Sequence, residues 1–242
     1  MPRYVMVIDS SRCINCKTCV AACQQENRVP YGYARNWIKV GAGATSPGLH
    51  FQPGNCMHCD EPICVSACPT GATFKDPADG VVKVNTALCI GCGSCIATCP
   101  YGARFRNPEL GVADKCDYCP RLRALGREPA CVAVCPTRAR RFGDLDDPAS
   151  GLRALIDKGP VVRLTAPATD TKPAIFYLGR TSPTDWPKDV TPPLPIGLWG
   201  AIMAPLTRVV GGAVLLGVAG VALRQLVAGR GEGQREGHGK AS

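Results

Sequence analysis

Sixteen cysteines, all within the first 143 residues, constrain this 242-residue chain more than any other feature. They form four groups of four that repeat one pattern with one variable gap. Groups one and three read CxxCxxCxxxC, whereas groups two and four widen the gap between their second and third cysteines. Such a repeat indicates four copies of one ligand-binding loop. The groups are Cys13, Cys16, Cys19 and Cys23; Cys56, Cys59, Cys64 and Cys68; Cys89, Cys92, Cys95 and Cys99; and Cys116, Cys119, Cys131 and Cys135.

This spacing favours iron–sulfur clusters over disulfides or zinc. Cysteines packed this closely rarely all find partners at disulfide geometry, and disulfide scaffolds of this density are usually shorter than about 100 residues. Zinc ribbons use two CxxC pairs separated by a longer spacer. A CxxCxxC loop can instead reach three irons of one cubane, and the fourth cysteine reaches a second cluster. The pattern predicts four [4Fe–4S] clusters as cofactors.

The order of the groups predicts which cysteines share a cluster. Groups two and three are separated only by residues 69–88, as in a small two-cluster ferredoxin, which leaves groups one and four to close an outer pair. Closure of each cluster by its own group is the alternative. The exchange predicts four ligand sets: set A is Cys13, Cys16, Cys19 and Cys135; set B is Cys116, Cys119, Cys131 and Cys23; set C is Cys56, Cys59, Cys64 and Cys99; and set D is Cys89, Cys92, Cys95 and Cys68.

The cysteine groups define a predicted domain over residues 1–146, in which an inner half of about 50–108 is inserted into an outer half. Its short strands are predicted at Tyr4–Asp9 and Val81–Asn85. The repeat also includes the turn sequences CPTGA, CPYGA and CPTRA, which begin at the last cysteines of groups two, three and four.

An extension over residues 147–181 follows. Asp147–Gly159 is predicted as one helix with Asp147 as N-cap and Pro148 at the first helical position. Short strands are predicted at Val161–Leu164 and Ala174–Leu178.

The C-terminal residues predict a membrane anchor. A Pro-rich tether over 182–204 leads to a transmembrane helix over 205–228, within which Val209–Leu223 has no charge. A buried or interfacial helix is the alternative. Residues 229–242 form a polar tail that is predicted to be disordered. Trp186 and Trp199 would suit the near membrane interface, in keeping with the enrichment of Trp there.

The distribution of Lys and Arg around this span predicts its orientation. Arg224, Arg230, Arg235 and Lys240 follow the apolar stretch, whereas the twenty residues before the predicted span over 205–228 offer only Lys188. By the positive-inside rule the C-terminus is cytoplasmic and the cluster domain is periplasmic, in a single-pass protein of the bacterial cytoplasmic membrane. Because no signal sequence precedes Cys13, we expect export together with a signal-bearing partner.

The formal charge is +9, from 28 Lys and Arg against 19 Asp and Glu. A basic excess often suggests a nucleic acid partner, but this sum omits the charge of the clusters, and we expect no nucleic acid partner. Four oxidised [4Fe–4S] centres with their thiolates would add about −8. We therefore interpret the basic excess as compensation for buried anionic clusters.

Few other side chains suggest chemistry. His58, inside the CMHC of group two, is expected to tune a cluster rather than act as a base, and His50 is expected in a loop. Aromatic residues near the cysteines are expected to shield clusters from water: Phe74, Tyr101, Tyr118 and Phe142. The basic run Arg138, Arg140 and Arg141 is either a docking surface for an acidic partner or a solvated face. We expect no catalytic residue.

The residues resemble the four-cluster iron–sulfur electron-transfer subunits of membrane-associated molybdopterin oxidoreductases, such as dimethyl sulfoxide, polysulfide, thiosulfate and arsenate reductases and membrane formate dehydrogenases. The resemblance runs from Tyr4 to about Gly179. It is most specific at Ile8–Asn27, Cys56–Ala72 and Lys115–Pro148, which includes the basic insert of group four. It implies an α+β, loop-rich fold of two ferredoxin-like, two-cluster halves with pseudo-twofold symmetry. Many members lack a C-terminal membrane helix, so the span predicted for this chain departs from the common pattern of the family.

The resemblance also implies a role. The chain would be a non-catalytic subunit that relays single electrons between a molybdopterin catalytic subunit holding molybdenum or tungsten and an integral-membrane, quinone-reactive subunit. One alternative is a free-standing, membrane-anchored polyferredoxin. Another is an assembly or regulatory protein that uses its clusters as sensors, against which the four complete ligand sets argue.

Overall fold

The computed structural model of the chain describes residues 1–42, 48–166, 169–179, 186–188, 206, 209, 210, 212–221 and 224. The chain divides into two compact units, Met1–Pro192 and Pro193–Ser242. The strands of the first unit are β1 (Tyr4–Asp9), β2 (Asn36–Ala42), β3 (Leu49–Asn55), β4 (Thr73–Lys75), β5 (Val82–Val84), β6 (Phe105–Arg106), β7 (Ala113–Asp114), β8 (Arg140–Asp144), β9 (Val161–Val162) and β10 (Ile175–Leu178). Its α-helices are α1 (Thr18–Asn27), α2 (Ile63–Ser66), α3 (Ser94–Ala97), α4 (Pro120–Ala124), α5 (Ala130–Ala133) and α6 (Leu152–Asp157).

β1 is a central strand of a four-stranded sheet with the order β8-β1-β10-β9. It pairs in parallel with β10 and antiparallel with β8. Because successive side chains of a strand point to opposite faces, β1 contributes to two cores. Met6 and Ile8 pack with the cysteine loops, whereas Val5 and Val7 pack beside α6. The continuous apolar run of this strand therefore reflects burial on both faces.

Each cysteine group lies between two strands. The hairpins β2–β3, β4–β5 and β6–β7 each connect one group to the next. Pairing of β1 with β8 then brings the residues before group one beside those after group four. The loop-rich mixture of short helices and strands confirms that part of the predicted fold class.

The predicted helix over Asp147–Gly159 is wrong in its continuity. A 3₁₀ turn at Pro148–Ser150 is followed by α6, and Gly151 between them has a φ of 65°. The Asp147 side chain does cap the first turn, since its Oδ1 accepts a hydrogen bond from the Ala149 N–H at 2.9 Å. The left-handed glycine explains the break, because a helix cannot run through that conformation.

Two further expectations are corrected. His50 lies in β3, opposite Gly41, rather than in a loop. Trp186 lies in the core rather than at a membrane interface. It is 6% exposed, its indole N–H donates to the Tyr101 carbonyl at 3.0 Å, and its ring meets those of Trp37 and Tyr101 edge to face. This burial satisfies both the apolar ring and its single donor.

In the second unit, the described residues between 206 and 224 are helical, and their large apolar side chains are exposed. Within the described ranges, no helix combines the length and the apolar character needed to cross a bilayer. The predicted tail over 229–242 and Trp199 lie outside the described residues, as do most of the tether and part of the predicted span. The domain boundaries stay a prediction.

Candidate iron–sulfur sites

The four cysteine loops share one backbone feature. The residue before the second cysteine of each group has a positive φ: 57° at Asn15, 46° at His58, 66° at Gly91 and 59° at Tyr118. Left-handed residues are uncommon outside glycine. When they alternate with right-handed ones, they turn successive N–H groups towards a common concavity that suits an anion. The four loops therefore share one backbone conformation, although a different residue type occupies this position in each loop.

Cysteines from groups two and three line two shared cavities. One cavity is lined by Cys56, Cys59 and Cys64 together with Cys99, the last cysteine of group three. The other is lined by the first three cysteines of group three together with Cys68, the last of group two. The structure thus brings together all four members of set C and all four members of set D. Helices α2 and α3, which carry Cys64 and Cys95, pack against each other.

Groups one and four approach each other in the same way, with α1 packed against α5. Burial, followed by the charges of Cys131 and Cys119, raises the pKa of Cys23 to about 12. The Asn27 amide nitrogen lies 3.6 Å from the sulfurs of both Cys23 and Cys119. These neighbours all belong to set B, together with Cys116, whose pKa rises through burial and then the charge of Cys23.

Set A combines the first three cysteines of group one with Cys135. Burial and the charges of Cys19 and Cys135 raise the pKa of Cys13. The charge of Cys135 also acts on Cys16. The last cysteine of group four therefore acts electrostatically on two cysteines of group one, as expected for set A.

The chemistry of these donor sets fits cubane clusters. A cubane takes one thiolate per iron, so its four ligands surround a cavity instead of converging on a point. Among the described residues, no three His, Cys, Asp or Glu side chains converge where a single metal ion could bind. The two cavities shared by groups two and three are each lined by four cysteines, which is the arrangement that a cubane requires.

In sets B and C, burial disfavours the charged thiolate relative to the neutral thiol. Burial raises the pKa of Cys59 to about 12, and it raises the pKa values of Cys99 and Cys131 to about 11. Since iron binds the thiolate, ligation at these sites must release protons.

Three thiols of sets A and D behave in the opposite way. The pKa of Cys16 is lowered by hydrogen bonds from the Thr18 hydroxyl and backbone. Burial raises the pKa values of Cys68 and Cys135, but backbone N–H groups and the hydroxyls of Thr70 and Thr137 outweigh it.

A short sequence pattern accompanies this difference. Two residues after the second or fourth cysteine, sets A and D carry a hydroxyl beside the sulfur. The sulfur–oxygen distances are 3.4 Å for Cys16 and Thr18, 3.7 Å for Cys68 and Thr70, 3.5 Å for Cys92 and Ser94, and 3.8 Å for Cys135 and Thr137. The equivalent positions of sets B and C hold Gln25, Glu61, Tyr101 and Arg121.

Buried cations accompany sets B and C. Arg104 is 5% exposed and donates from Nη2 to the Cys64 sulfur at 3.0 Å. Lys115 is 3% exposed and donates to the carbonyls of Val82 and Cys116. A buried cation is costly unless it is paired, and anionic clusters would supply the opposite charge. These contacts support the interpretation of the basic excess.

Arg140 corrects the expectation for the basic run. It is 1% exposed, so it is neither a docking residue nor part of a solvated face. Its guanidinium donates to the Asn55 side chain at 2.9 Å and to the Gly54 carbonyl at 3.2 Å. The Asn55 amide in turn donates to the Cys56 carbonyl and lies 3.8 Å from the Cys116 sulfur. Arg138 is exposed and pairs with Glu128.

His58 and Tyr118 form a contact between the loops of sets C and B. Their ring centroids are 3.9 Å apart at 34°, and both side chains are fully buried. Nδ1 of His58 accepts the Val82 N–H at 3.2 Å. Burial and the charge of Lys115 lower the pKa of His58 well below its usual value. Because Nδ1 accepts a hydrogen bond, it carries no proton, and the ring is neutral.

Cysteine spacing did not reveal the supporting polar residues: Asn27, Asn55, Arg104, Lys115 and Arg140. Each of them has at least one partner that is distant in sequence, so no local pattern marks it. The hydroxyl two residues after a cysteine is different, because the sequence alone already separates sets A and D from B and C by that feature.

Comparisons with known proteins agree with this donor chemistry. The family described as a 4Fe-4S dicluster domain matches the chain twice, over residues 12–72 and 48–145. "Protein NrfC" of Escherichia coli (strain K12) is 44% identical over 178 residues, which cover 72% of this chain and 79% of that protein.

Two further relatives are named as subunits of reductases. "Thiosulfate reductase electron transfer subunit PhsB" of Salmonella typhi is 47% identical over 150 residues, covering 60% of this chain and 78% of that protein. A tetrathionate reductase subunit of Archaeoglobus fulgidus is 47% identical over 179 residues, covering 74% of this chain and 83% of that protein. The chain therefore belongs to the family of iron–sulfur electron-transfer subunits of the molybdopterin oxidoreductases.

Proposed function

We propose that this chain is the electron-transfer subunit of a respiratory oxidoreductase and holds four [4Fe–4S] clusters in sets A to D. When bound, such clusters accept and release single electrons. The chain itself supplies thiolate ligands, N–H and hydroxyl donors, buried cations and exclusion of water, and it contributes no catalytic residue. The observation that carries the proposal is the meeting of cysteines from different groups around shared cavities.

The partners in this proposal are a molybdopterin catalytic subunit and an integral-membrane, quinone-reactive subunit. Support comes from relatives named as subunits of thiosulfate and tetrathionate reductases. Electrons would pass through the four clusters in either direction, according to the potentials of the two partners.

A C-terminal membrane anchor over residues 205–228, with the cluster domain in the periplasm, is part of the proposal. Its support is the exposure of apolar side chains on the described helical residues, including Leu215 at 73% and Leu216 at 76%. Exposed apolar surface of this kind is unfavourable in water and indicates an apolar surrounding. Proteolysis of sealed vesicles tests the orientation: cleavage of the cluster domain only from the cytoplasmic side would contradict it.

Purification of the complex from native membranes, followed by an anaerobic EPR titration, tests the function. We expect co-purification with a large pterin-containing subunit and four reducible cubane centres. Isolation as a stable single chain would favour the free-standing polyferredoxin. Fewer than four centres, or centres that neither quinol nor substrate reduces, would contradict the relay.

Cysteine variants separate exchanged ligation from closure by each group. In the exchanged arrangement, Cys135→Ser damages the same centre as Cys13→Ser, whereas Cys131→Ser damages a different one. If group four closed its own cluster, Cys135→Ser and Cys131→Ser would damage the same centre. The EPR signal that is lost or altered in each variant decides between the two arrangements.

A further inference from the structure

Two buried hydrogen-bond donors at the contact between sets B and C have no partner among the residues that the structure describes. They are Nε2 of His58 and the hydroxyl of Tyr118, and both side chains are 0% exposed. A buried donor without an acceptor has lost its hydrogen bonds to water and gained none in exchange, so native proteins rarely leave one unpaired. Two such donors in one stacked pair call for an acceptor that these residues do not provide.

Both groups are donors in the form present here. His58 Nδ1 accepts the Val82 N–H, so the ring proton is on Nε2. The Tyr118 hydroxyl carries its proton at neutral pH. The ring centroids are 3.9 Å apart at an angle of 34°, and His58 Nε2 and the Tyr118 hydroxyl do not hydrogen-bond to each other.

The cysteines around the pair indicate where an acceptor lies. His58 is part of the CMHC loop of set C, and Tyr118 is part of the CDYC loop of set B. Tyr118 packs in one buried cluster with cysteines of both sets: Cys116 and Cys131 from set B, and Cys56 and Cys59 from set C. Sulfur atoms of the two clusters are therefore the acceptors that the geometry offers.

We propose that the His58 Nε2–H and the Tyr118 O–H donate hydrogen bonds to sulfur atoms of the clusters in sets B and C, and that the stacked pair raises the potentials of these two clusters. This inference rests on the proposed function. Hydrogen bonds to cluster sulfurs stabilise the more negative, reduced form and raise the reduction potential. The pair is thus a tuning device at the contact between the two halves.

Tyr118→Phe removes the hydroxyl and keeps the ring. We expect the reduction equilibrium of at least one centre of sets B and C to move about tenfold towards the oxidised form, which corresponds to ~59 mV for one electron. The measurement is an EPR redox titration of the purified full complex. Tyr177→Phe is the matched control: Tyr177 is equally buried, but its hydroxyl donates to the Pro53 carbonyl. We expect it to leave all four potentials unchanged.

Two substitutions separate the nitrogen atoms of His58. Asn places its oxygen near the position of Nδ1 and can keep the Val82 bond, and Asn15 already occupies the equivalent position of group one with a φ of 57°. His58→Asn thus loses the Nε2 donor and should lower a potential. Gln reaches the Nε2 position with an N–H, so His58→Gln should retain more of the potential than His58→Asn.

A measurement on the unmutated chain guards against variants that fail to load. The chain contains three histidines, and only His58 lies within a cysteine group, so a ¹⁵N-histidine label places one labelled side chain beside the cysteine ligands. We expect a ¹⁵N hyperfine coupling to a reduced centre in the loaded full-length chain, retained in His50→Asn. Absence of this coupling, or unchanged potentials in both Tyr118→Phe and His58→Asn, would overturn the inference. A wild-type chain with fewer than four reducible centres would instead contradict the proposed function.

Discussion

We call sets B and C, whose loops meet at His58 and Tyr118, the central sets, and sets A and D the terminal sets. Both pairs are built on the same cysteine loops but receive different support. All four thiols of set B are buried, and buried cations lie beside sets B and C. The terminal sets each contain an exposed thiol, Cys16 or Cys92, and carry hydroxyls beside their sulfurs. One cysteine loop pattern therefore occurs in two different electrostatic environments.

The difference follows from desolvation. A cluster in the interior loses the stabilisation of water, so nearby cations such as Arg104 and Lys115 are the available compensation for its charge. A cluster near the surface keeps part of its solvation, and neutral donors such as Thr18 and Thr70 are sufficient. Most of the cysteine pKa directions agree: they rise at Cys59 and Cys131 and fall at Cys16, Cys68 and Cys135. Cys13 of set A is an exception, because burial raises its pKa.

The largest expected effect comes from backbone crowding in one terminal set. A Cβ on Gly91 would lie 2.0 Å from the Gly111 carbonyl oxygen, so Gly91→Ala should destabilise the loop by more than about 4 kcal/mol and abolish the set D centre. Gly71→Ala is the matched control, since Gly71 has a similar φ of 68° and open space around its Cβ position. It should cost only ~1–2 kcal/mol. Iron content and EPR measure both; a complete set of centres in Gly91→Ala would contradict the prediction.

Exposure predicts the order of cluster loss. Because Cys16 and Cys92 are exposed, a water-soluble iron chelator added to the reduced protein should remove iron from sets A and D before sets B and C. EPR spectra recorded during the reaction, with signals assigned from the cysteine variants, measure this order. Simultaneous loss of all four signals would show that the two environments do not differ in access.

Removing a buried cation should affect one central set. Arg104→Met deletes the charge beside Cys64 while retaining much of the side-chain volume. We expect the potential of the set C centre to fall by about 90 mV, or roughly 2 kcal/mol, since a unit charge at this distance contributes a few kcal/mol at a protein-like dielectric. Arg138→Met, at an exposed cation near set A, is the control and should shift no potential appreciably. Equal shifts in both variants would remove the distinction between central and terminal sets.

The smallest expected effect concerns a terminal hydroxyl. Thr70→Val removes the hydroxyl beside Cys68, and the potential of the set D centre should fall by roughly 20 to 40 mV, the equivalent of one net neutral hydrogen bond. Ser66→Ala is its control, because the Ser66 hydroxyl donates to the Ile63 carbonyl instead of a sulfur. A redox titration of set D that does not distinguish Thr70→Val from Ser66→Ala would show that the hydroxyl has no such role.

Several parts of the fold were predictable because their signals are local. The strand Tyr4–Asp9 has the predicted bounds, and Asp147 caps its turn as its side chain suggests. The helix after it was predicted as continuous because Gly151 carries no side-chain signal for its left-handed conformation. Trp186 was assigned to a membrane interface because its partners, Trp37 and Tyr101, are about 150 and 85 residues away in sequence.

Sequence alone determined the ligand chemistry of this protein, since thiol identity and spacing within each loop are local properties that any fold must respect. It also predicted which groups share clusters, and this assignment stays a prediction. Only the tertiary structure decided which sets are buried, which cations lie beside them, and that His58 stacks on Tyr118. Burial and charge at a site depend on residues brought from distant parts of the chain, and cysteine spacing carries no information about them.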